Sequence, residues 1–178
     1  MNARIRGIVL SASLMCWTAW ASATETILVQ QGSPMRYLAN SADPGLGLTW
    51  KSSAFDDGSW IAGVYGVGYE TAPPGAIELI DTVVPSGTYT IYTRAEFTIA
   101  DASTISSLTL GADYDDGFIA WLNGVEVYRS PEMPTTTPAW DSAASLHESS
   151  NGAAPNYGPL HDISTLGLPA LLSGVNVL

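Results

Sequence analysis

The segment AWLNGVEV, residues 120–127, constrains the fold more than any other part of the chain. Asn123 and Gly124 separate two runs in which side chains alternate in character, and an Asn-Gly pair in that setting is the strongest short-range signal for a two-residue type I′ hairpin. The predicted register pairs Leu122 with Val125, Ala120 with Val127 and Phe118 with Arg129. We therefore expect a core face of Phe118, Ala120, Leu122, Val125 and Val127 and a mixed face of Ile119, Trp121, Glu126 and Tyr128.

The rest of the chain also consists of short apolar runs separated by turn-forming residues. No stretch keeps a helical period over three turns. Candidate strands are residues 25–30, 88–99, 106–113, 117–122, 125–130 and 174–178, and long polar loops lie at 41–60, 62–87 and 131–160. Many short strands separated by turns predict an all-β fold, specifically an antiparallel β-sandwich or jelly roll.

The first 23 residues have the pattern of a secretory signal peptide. Arg4 and Arg6 precede an uncharged apolar stretch, and small residues follow at 21–23, where signal peptidase cleaves. A membrane anchor is the alternative, but the apolar run is short for a bilayer span. We predict cleavage before Thr24 and secretion. Cleavage would remove the single cysteine, Cys16, and leave one domain that needs no disulfide at its size.

The charge of the chain excludes two classes of partner. The sequence has 6 basic and 17 acidic residues and a formal net charge of −11. Loss of Arg4 and Arg6 with the signal peptide makes the balance still more acidic. Because such a surface repels nucleic acid and anionic lipid, we expect no nucleic-acid binding and no membrane insertion after cleavage.

Four segments occur in an order typical of one group of domains. They are FDDGSWIAGVYGVGY (55–69), YTRAEFTI (92–99), DDGFIAWLNGVEVYRS (115–130) and HDISTLGLPALLSGVNVL (161–178). Together they resemble the galactose-binding-like jelly-roll domains of secreted bacterial proteins, including the non-catalytic sugar-binding domain of family 2 glycoside hydrolases. The resemblance spans nearly all of residues 24–178. It implies that Trp60 and Phe97 are core residues.

The same resemblance bears on the ending of the chain and on its neighbours. Such domains often adjoin catalytic or anchoring domains, and their last strand continues past a segment like GVNVL. We therefore expect residues 24–178 to be a galactose-binding-like domain that lacks at least one C-terminal strand and belongs to a larger multidomain protein.

The acids that precede the hairpin allow two interpretations. Asp113, Asp115 and Asp116 do not fit an EF-hand loop, because Ala112, Tyr114 and Asn123 stand where that loop needs acids. Paired Asp before Gly is similar to the calcium-and-sugar motif of PA14-type lectin domains, so these three acids are candidate calcium ligands. The alternative is that Asp115 and Asp116 form side-chain-to-backbone bonds in a turn.

Two further polar groups receive structural interpretations. In FDDGSW, we expect Asp56 and Asp57 to cap backbone amides of a tight turn while Trp60 fills the core. His147-Glu148 lacks the second histidine of a zincin motif, and Glu148 is expected to bind backbone groups of its own loop. A long-range site that uses both His147 and His161 stays open.

Hydrolase chemistry has no support from motifs, since the chain has no Gly-x-Ser-x-Gly elbow and no pattern selects a carboxylate pair. Sugar binding needs exposed aromatic faces and nearby polar groups. The candidates are Tyr65, Tyr69, Trp140, Asn156 and Tyr157; the alternative is that these aromatic side chains fix long loops to the sheet. We predict a secreted, non-catalytic carbohydrate-binding or cell-surface module. The alternatives are a structural spacer and a protein–protein interaction domain.

Overall fold

The computed structural model describes residues 25–71 and 74–178, and the predicted signal peptide lies outside the described residues. The described chain is mostly strands with one short helix, which confirms the all-β prediction. No helix among these residues is long and apolar enough to cross a membrane.

The elements follow one another in this order: β1 (Pro34–Asn40), β2 (Ile61–Val64), β3 (Val67–Gly68), β4 (Thr82–Val83), β5 (Thr90–Arg94), β6 (Glu96–Ile99), β7 (Thr109–Leu110), β8 (Ile119–Leu122), β9 (Val125–Arg129), β10 (His161–Asp162), α1 (Ser164–Ala170) and β11 (Gly174–Val177). Short 3-10 turns occur at Thr49–Lys51, Ile77–Leu79 and Ala102–Thr104.

The largest sheet has β1 at its centre. β1 pairs antiparallel with β2 on one side and with β5 on the other. The sequence analysis missed β1 and placed a strand at residues 25–30, which is wrong, because that segment forms no ladder. Its apolar residues Leu28 and Val29 nevertheless pack against the core. Burial alone explains its apolar character, so the composition of the segment did not indicate a strand.

Four further pairs complete the ladders of the described residues. β6 pairs with β11, β7 with β10 and β8 with β9, all antiparallel, whereas β3 and β4 are parallel. Ala95 joins β5 to β6 and exchanges two backbone hydrogen bonds with Leu178, each 2.9 Å long. β11 is thereby held along its whole length.

The β8–β9 hairpin forms as predicted at its turn and departs from the prediction further out. Asn123 and Gly124 have φ values of 51° and 91°, as a type I′ turn requires. Leu122 pairs with Val125, but the register then shifts, and Ala120 pairs with Tyr128 instead of Val127.

The shift is a β-bulge at Val127, and it corrects the predicted faces. An extra residue in one strand reverses the alternation beyond it. Tyr128 therefore lies on the face of Ala120, not with Ile119 as predicted, and Arg129 pairs with Ile119 rather than Phe118. Val125, predicted as core, is 43% exposed, whereas its partner Leu122 is 3% exposed.

The Asn123 side chain ties the hairpin to the end of the chain. Its Nδ2 donates to the carbonyl of Ala170 and to Oδ1 of Asn176, and its Oδ1 accepts from the amide of Val177. Asn176 is fully buried. An asparagine at this turn therefore supplies both the left-handed backbone and a set of buried hydrogen bonds.

The core consists of three clusters of buried residues. The first combines Ile99, Leu122, Val127, Ile163 and Leu171; the second combines Met35, Tyr37, Val84 and Ala95. The third, which we call the tryptophan cluster, contains Trp50, Trp60 and Tyr92. Trp60 is a core residue, as expected, whereas Phe97 is only partly buried and packs against the first cluster.

Arg94 fixes the loop that carries the tryptophan cluster. Its guanidinium is almost completely buried and donates to Oδ2 of Asp57 at 2.8 Å. It also donates to the carbonyls of Trp50 and Ser52. The prediction for Asp56 is confirmed, since its Oδ1 accepts from the amide of Gly58. The prediction for Asp57 is wrong, because Asp57 forms an ion pair with Arg94 instead of a backbone cap.

Candidate functional site

A cavity of about 320 Å³ lies at the outer end of the β8–β9 hairpin. Its walls come from the segment before β8, the end of β9, the loop 147–159 and β10. The aromatic lining residues are Tyr114, Phe118 and Tyr128, and the polar ones are Asp113, His147, Glu148, Ser150, Asn156 and His161.

Five rings stand side by side in this wall, and we call them the aromatic row: His147, Tyr114, Phe118, Tyr128 and His161. The two outer contacts are stacked, with centroid distances of 4.2 Å for Tyr114–His147 and 4.3 Å for Tyr128–His161. Phe118 contacts Tyr114 at 4.8 Å and Tyr128 at 5.4 Å. The five rings of the row line the cavity, with a histidine at each end.

The bulge at Val127 makes the aromatic row possible. Without it, Phe118 and Tyr128 would lie on opposite faces of the hairpin, because side chains alternate along a strand. The ion pair between Glu126 and Arg129, with Nε–Oε1 at 2.8 Å, agrees with the same reversal. Residues three apart in a regular strand point to opposite faces, whereas these two meet.

Hydrogen bonds fix the rings of the row. The Nδ1 of His147 lies 3.0 Å from the carbonyl oxygen of Tyr114, and the Tyr128 hydroxyl lies 2.9 Å from Nε2 of His161. Since a carbonyl oxygen only accepts, Nδ1 of His147 carries the hydrogen, and Nε2 of the neutral ring is an acceptor. The Tyr114 hydroxyl donates to Oε2 of Glu132 at 3.0 Å.

Both tyrosines of the row stay protonated in neutral solution. Burial raises the pKa of Tyr114, and the hydrogen bond and charge of Glu132 raise it further. Burial likewise raises the pKa of Tyr128, with a smaller contribution from Glu132. Their hydroxyls are therefore neutral hydrogen-bonding groups.

Asp113 holds the loop that closes the cavity. Its carboxylate accepts from the amide of Ser150 at 2.7 Å, from the Ser150 hydroxyl at 2.5 Å and from the amide of Asn156 at 2.8 Å. Burial opposes ionisation of this carboxyl, but the hydrogen bonds from Ser150 and Asn156 outweigh it, so the pKa of Asp113 is lowered. Gly111 lies against the same loop; a Cβ there would be 2.1 Å from the carbonyl oxygen of Tyr157.

The paired acids Asp115 and Asp116 stand at the edge of the cavity. Asp116 accepts from the amide of His147 at 3.1 Å, a backbone bond of the kind expected for these acids, although it fixes a distant loop. Burial raises the pKa of Asp115, and the charges of Asp116 and Glu148 add to the effect. Residues 25–71 and 74–178 contain no group of three or more His, Cys, Asp or Glu side chains arranged to hold a metal ion. Calcium binding by Asp113, Asp115 and Asp116 therefore stays a prediction.

The predicted sugar-binding residues do not form one site. Asn156 lines the cavity, and the adjacent Tyr157 accepts a hydrogen bond at its hydroxyl from the amide of Gln31. Tyr65 packs on the second core cluster and bonds Thr93 at 3.1 Å. Tyr65 therefore fixes its loop to the sheet, which agrees with the alternative interpretation, whereas Tyr157 joins its loop to the segment before β1.

The remaining two predicted residues lie apart from the cavity lining. Trp140 packs on the tryptophan cluster and contacts the ring of Tyr89 at 5.9 Å, while Tyr69 is 38% exposed. The sequence analysis did not select Tyr114, Phe118 or Tyr128 for a site. The one signal for them was the possibility, left open, that His147 and His161 act together.

No protein-family model, curated protein or solved structure matches the chain significantly. The aromatic row and the cavity geometry are therefore the basis for the functional proposal.

Proposed function

We propose that the chain is a secreted, non-catalytic carbohydrate-binding module with a galactose-binding-like β-sandwich fold, and that the cavity beside the aromatic row is its sugar site. The observation that carries the proposal is the row itself. Apolar C–H faces of sugar rings pack on aromatic surfaces, and the polar residues around the row can bind hydroxyl groups.

The polar groups of the cavity favour binding over catalysis. Asp113 already accepts three hydrogen bonds from its own loop, and its lowered pKa makes it a poor general acid. Glu148 is the other carboxylate of the lining. A glycosidase needs two carboxylates across a cleft, one of them free to donate a proton, and the fully engaged Asp113 does not meet that need.

The proposal includes a calcium ion that is bound by the paired acids Asp115 and Asp116. Asp115 and Asp116 lie close enough for the charge of one to raise the pKa of the other, and a hard divalent cation would relieve that repulsion. Any such ion would be adjacent to His147, whose amide bonds Asp116.

A glycan array tests the proposed function. The protein is applied with calcium and, separately, with a chelator. Retention of a defined glycan supports the module. Loss of retention with chelator supports calcium ligation by Asp115 and Asp116, and unchanged retention refutes it. The absence of any retained glycan under both conditions would refute the proposed function.

A variant pair locates the site. Phe118→Leu keeps an apolar side chain but removes the central ring of the aromatic row, and we expect it to weaken binding of the retained glycan at least about tenfold. Tyr69→Leu is the control, because Tyr69 is an exposed aromatic residue outside the cavity lining. Circular dichroism checks folding of both. If only Tyr69→Leu weakens binding, the cavity is not the sugar site.

A further inference from the structure

The cavity is rich in hydrogen-bond acceptors and poor in cations. Its lining includes the carboxylates of Asp113 and Glu148, and no Lys or Arg of the described residues contributes to it. The Nε2 of His147 is an acceptor in the neutral ring, because Nδ1 is fixed as the donor to the Tyr114 carbonyl. These acceptors favour a ligand that supplies donors.

The basic residues of the described chain are engaged elsewhere. Arg94 is buried against Asp57, and Arg36 donates to the carbonyl of Trp60. Arg129 forms two bonds to Glu126, and the Lys51 ammonium lies 5.8 Å from the centre of the Trp121 ring. An anionic sugar would find no lysine or arginine in this cavity.

Glu148 is the carboxylate best placed to meet a ligand. The side chain of Glu148 is exposed, and Nδ2 of Asn151 donates a long hydrogen bond of 3.4 Å to its Oε2. Asp113, in contrast, is already bonded to Ser150 and Asn156. The aromatic rings of the row lie in the same wall, and aromatic rings are compatible with a bound cation.

We propose that the ligand of the cavity is a glycan that carries a free, protonated amine, and that Glu148 binds this amine. The inference rests on the proposed function, because it names the sugar class of the same site. An ammonium group offers three donors and a positive charge, which complements the acceptors and rings of the cavity.

Calorimetric titration with two matched ligands tests the inference. One is a short glucosamine oligosaccharide and the other is its fully N-acetylated counterpart, both at neutral pH. We expect the amine form to bind about threefold to fivefold more tightly, since a charge-assisted hydrogen bond to an exposed carboxylate replaces a neutral one. The preference should shrink at high ionic strength, where exposed charges are screened.

Variants separate the charge of Glu148 from the rest of the site. Glu148→Gln should abolish most of the preference for the amine form and leave binding of the acetylated ligand unchanged. The control is Glu96→Gln, which removes an exposed charge from β6, outside the cavity lining, and should keep the preference. A preference that survives Glu148→Gln would overturn the assignment.

The outcomes distinguish this inference from the proposed function. Equal binding of the two ligands, or tighter binding of a uronic-acid oligosaccharide, refutes the amine inference while the carbohydrate module stands. Binding of no glycan on the array refutes the proposed function and the inference together.

Discussion

Replacement of Arg94 should destabilise the protein far more than replacement of the other arginine at the same carboxylate. Arg94 is 3% exposed and joins Asp57 to the carbonyls of Trp50 and Ser52. Arg94→Met keeps the apolar stem but leaves these acceptors without their donor. Breaking a buried ion pair by removal of one partner costs about 3–5 kcal/mol, because the remaining group is desolvated and unpaired.

The matched control is Arg36→Met. Arg36 lies 3.5 Å from the same Asp57, but its side chain is 43% exposed. An exposed pair contributes about 0–1 kcal/mol, since water solvates both groups when it breaks. The two variants thus remove the same charge from the same carboxylate and differ in burial.

Urea unfolding followed by tryptophan fluorescence measures both effects. Trp50 and Trp60 lie in the loop region that Arg94 fixes, so their emission reports its unfolding. With a slope of about 2 kcal/mol/M, the Arg94→Met midpoint should fall by roughly 1.5–2.5 M and the Arg36→Met midpoint by less than about 0.5 M. Similar shifts for the two variants would refute the assignment of Arg94 as the buried anchor.

Substitutions at Asp113, Asn123 and Gly111 test other parts of the fold. Asp113→Asn should lower the free energy of unfolding by about 1–2 kcal/mol at neutral pH. Because the pKa of Asp113 is lower in the folded state, the stabilisation by its carboxylate is complete above the unfolded pKa and is lost as the pH falls through the folded pKa. The urea midpoints of the wild type and the variant should therefore converge in acid. Asn123→Ala should lower the free energy of unfolding by about 3 kcal/mol in the same assay. Asn123→Gly keeps the left-handed backbone but loses the side-chain hydrogen bonds, and should lower the free energy of unfolding by about 2 kcal/mol. Gly111→Ala should lower the melting temperature by several degrees, because its Cβ would lie 2.1 Å from the carbonyl oxygen of Tyr157. The control Gly68→Ala should leave the melting temperature unchanged, because the nearest atom to its Cβ would be 3.9 Å away. An unchanged melting temperature for Gly111→Ala would show that the loop 155–160 is free to move.

Features fixed by local chemistry could be predicted from the sequence. The Asn123-Gly124 turn and the Asp56 cap depend on residues within a few positions of each other. The core position of Trp60 follows from its size and apolar character. Strand β1 could not be found in the same way, because Arg36 and Asn40 interrupt its apolar pattern, and its burial comes from two neighbouring strands that are distant in the chain.

The candidate site depends on contacts between distant residues that could not be predicted from the sequence. Asp113 reads as part of an acidic turn, but its partners are Ser150 and Asn156, on the far side of a long loop. Tyr157 reads as an exposed aromatic residue, but its hydroxyl receives a hydrogen bond from the amide of Gln31. In both cases a polar group is satisfied across more than 30 positions, and composition gives no sign of which group is chosen.

The hairpin turn could be predicted from the sequence, but the aromatic row could not, because it depends on the bulge at Val127. With regular alternation, the turn at Asn123-Gly124 places Phe118 on the core face and Tyr128 on the opposite one. The extra residue reverses this beyond Val127, so that Tyr128 meets Phe118 at 5.4 Å and brings His161 with it. Bulges re-aim side chains at functional sites. On this reasoning the cavity is a consequence of the hairpin's irregularity, and a variant that restored regular pairing would keep the turn and lose the aromatic row.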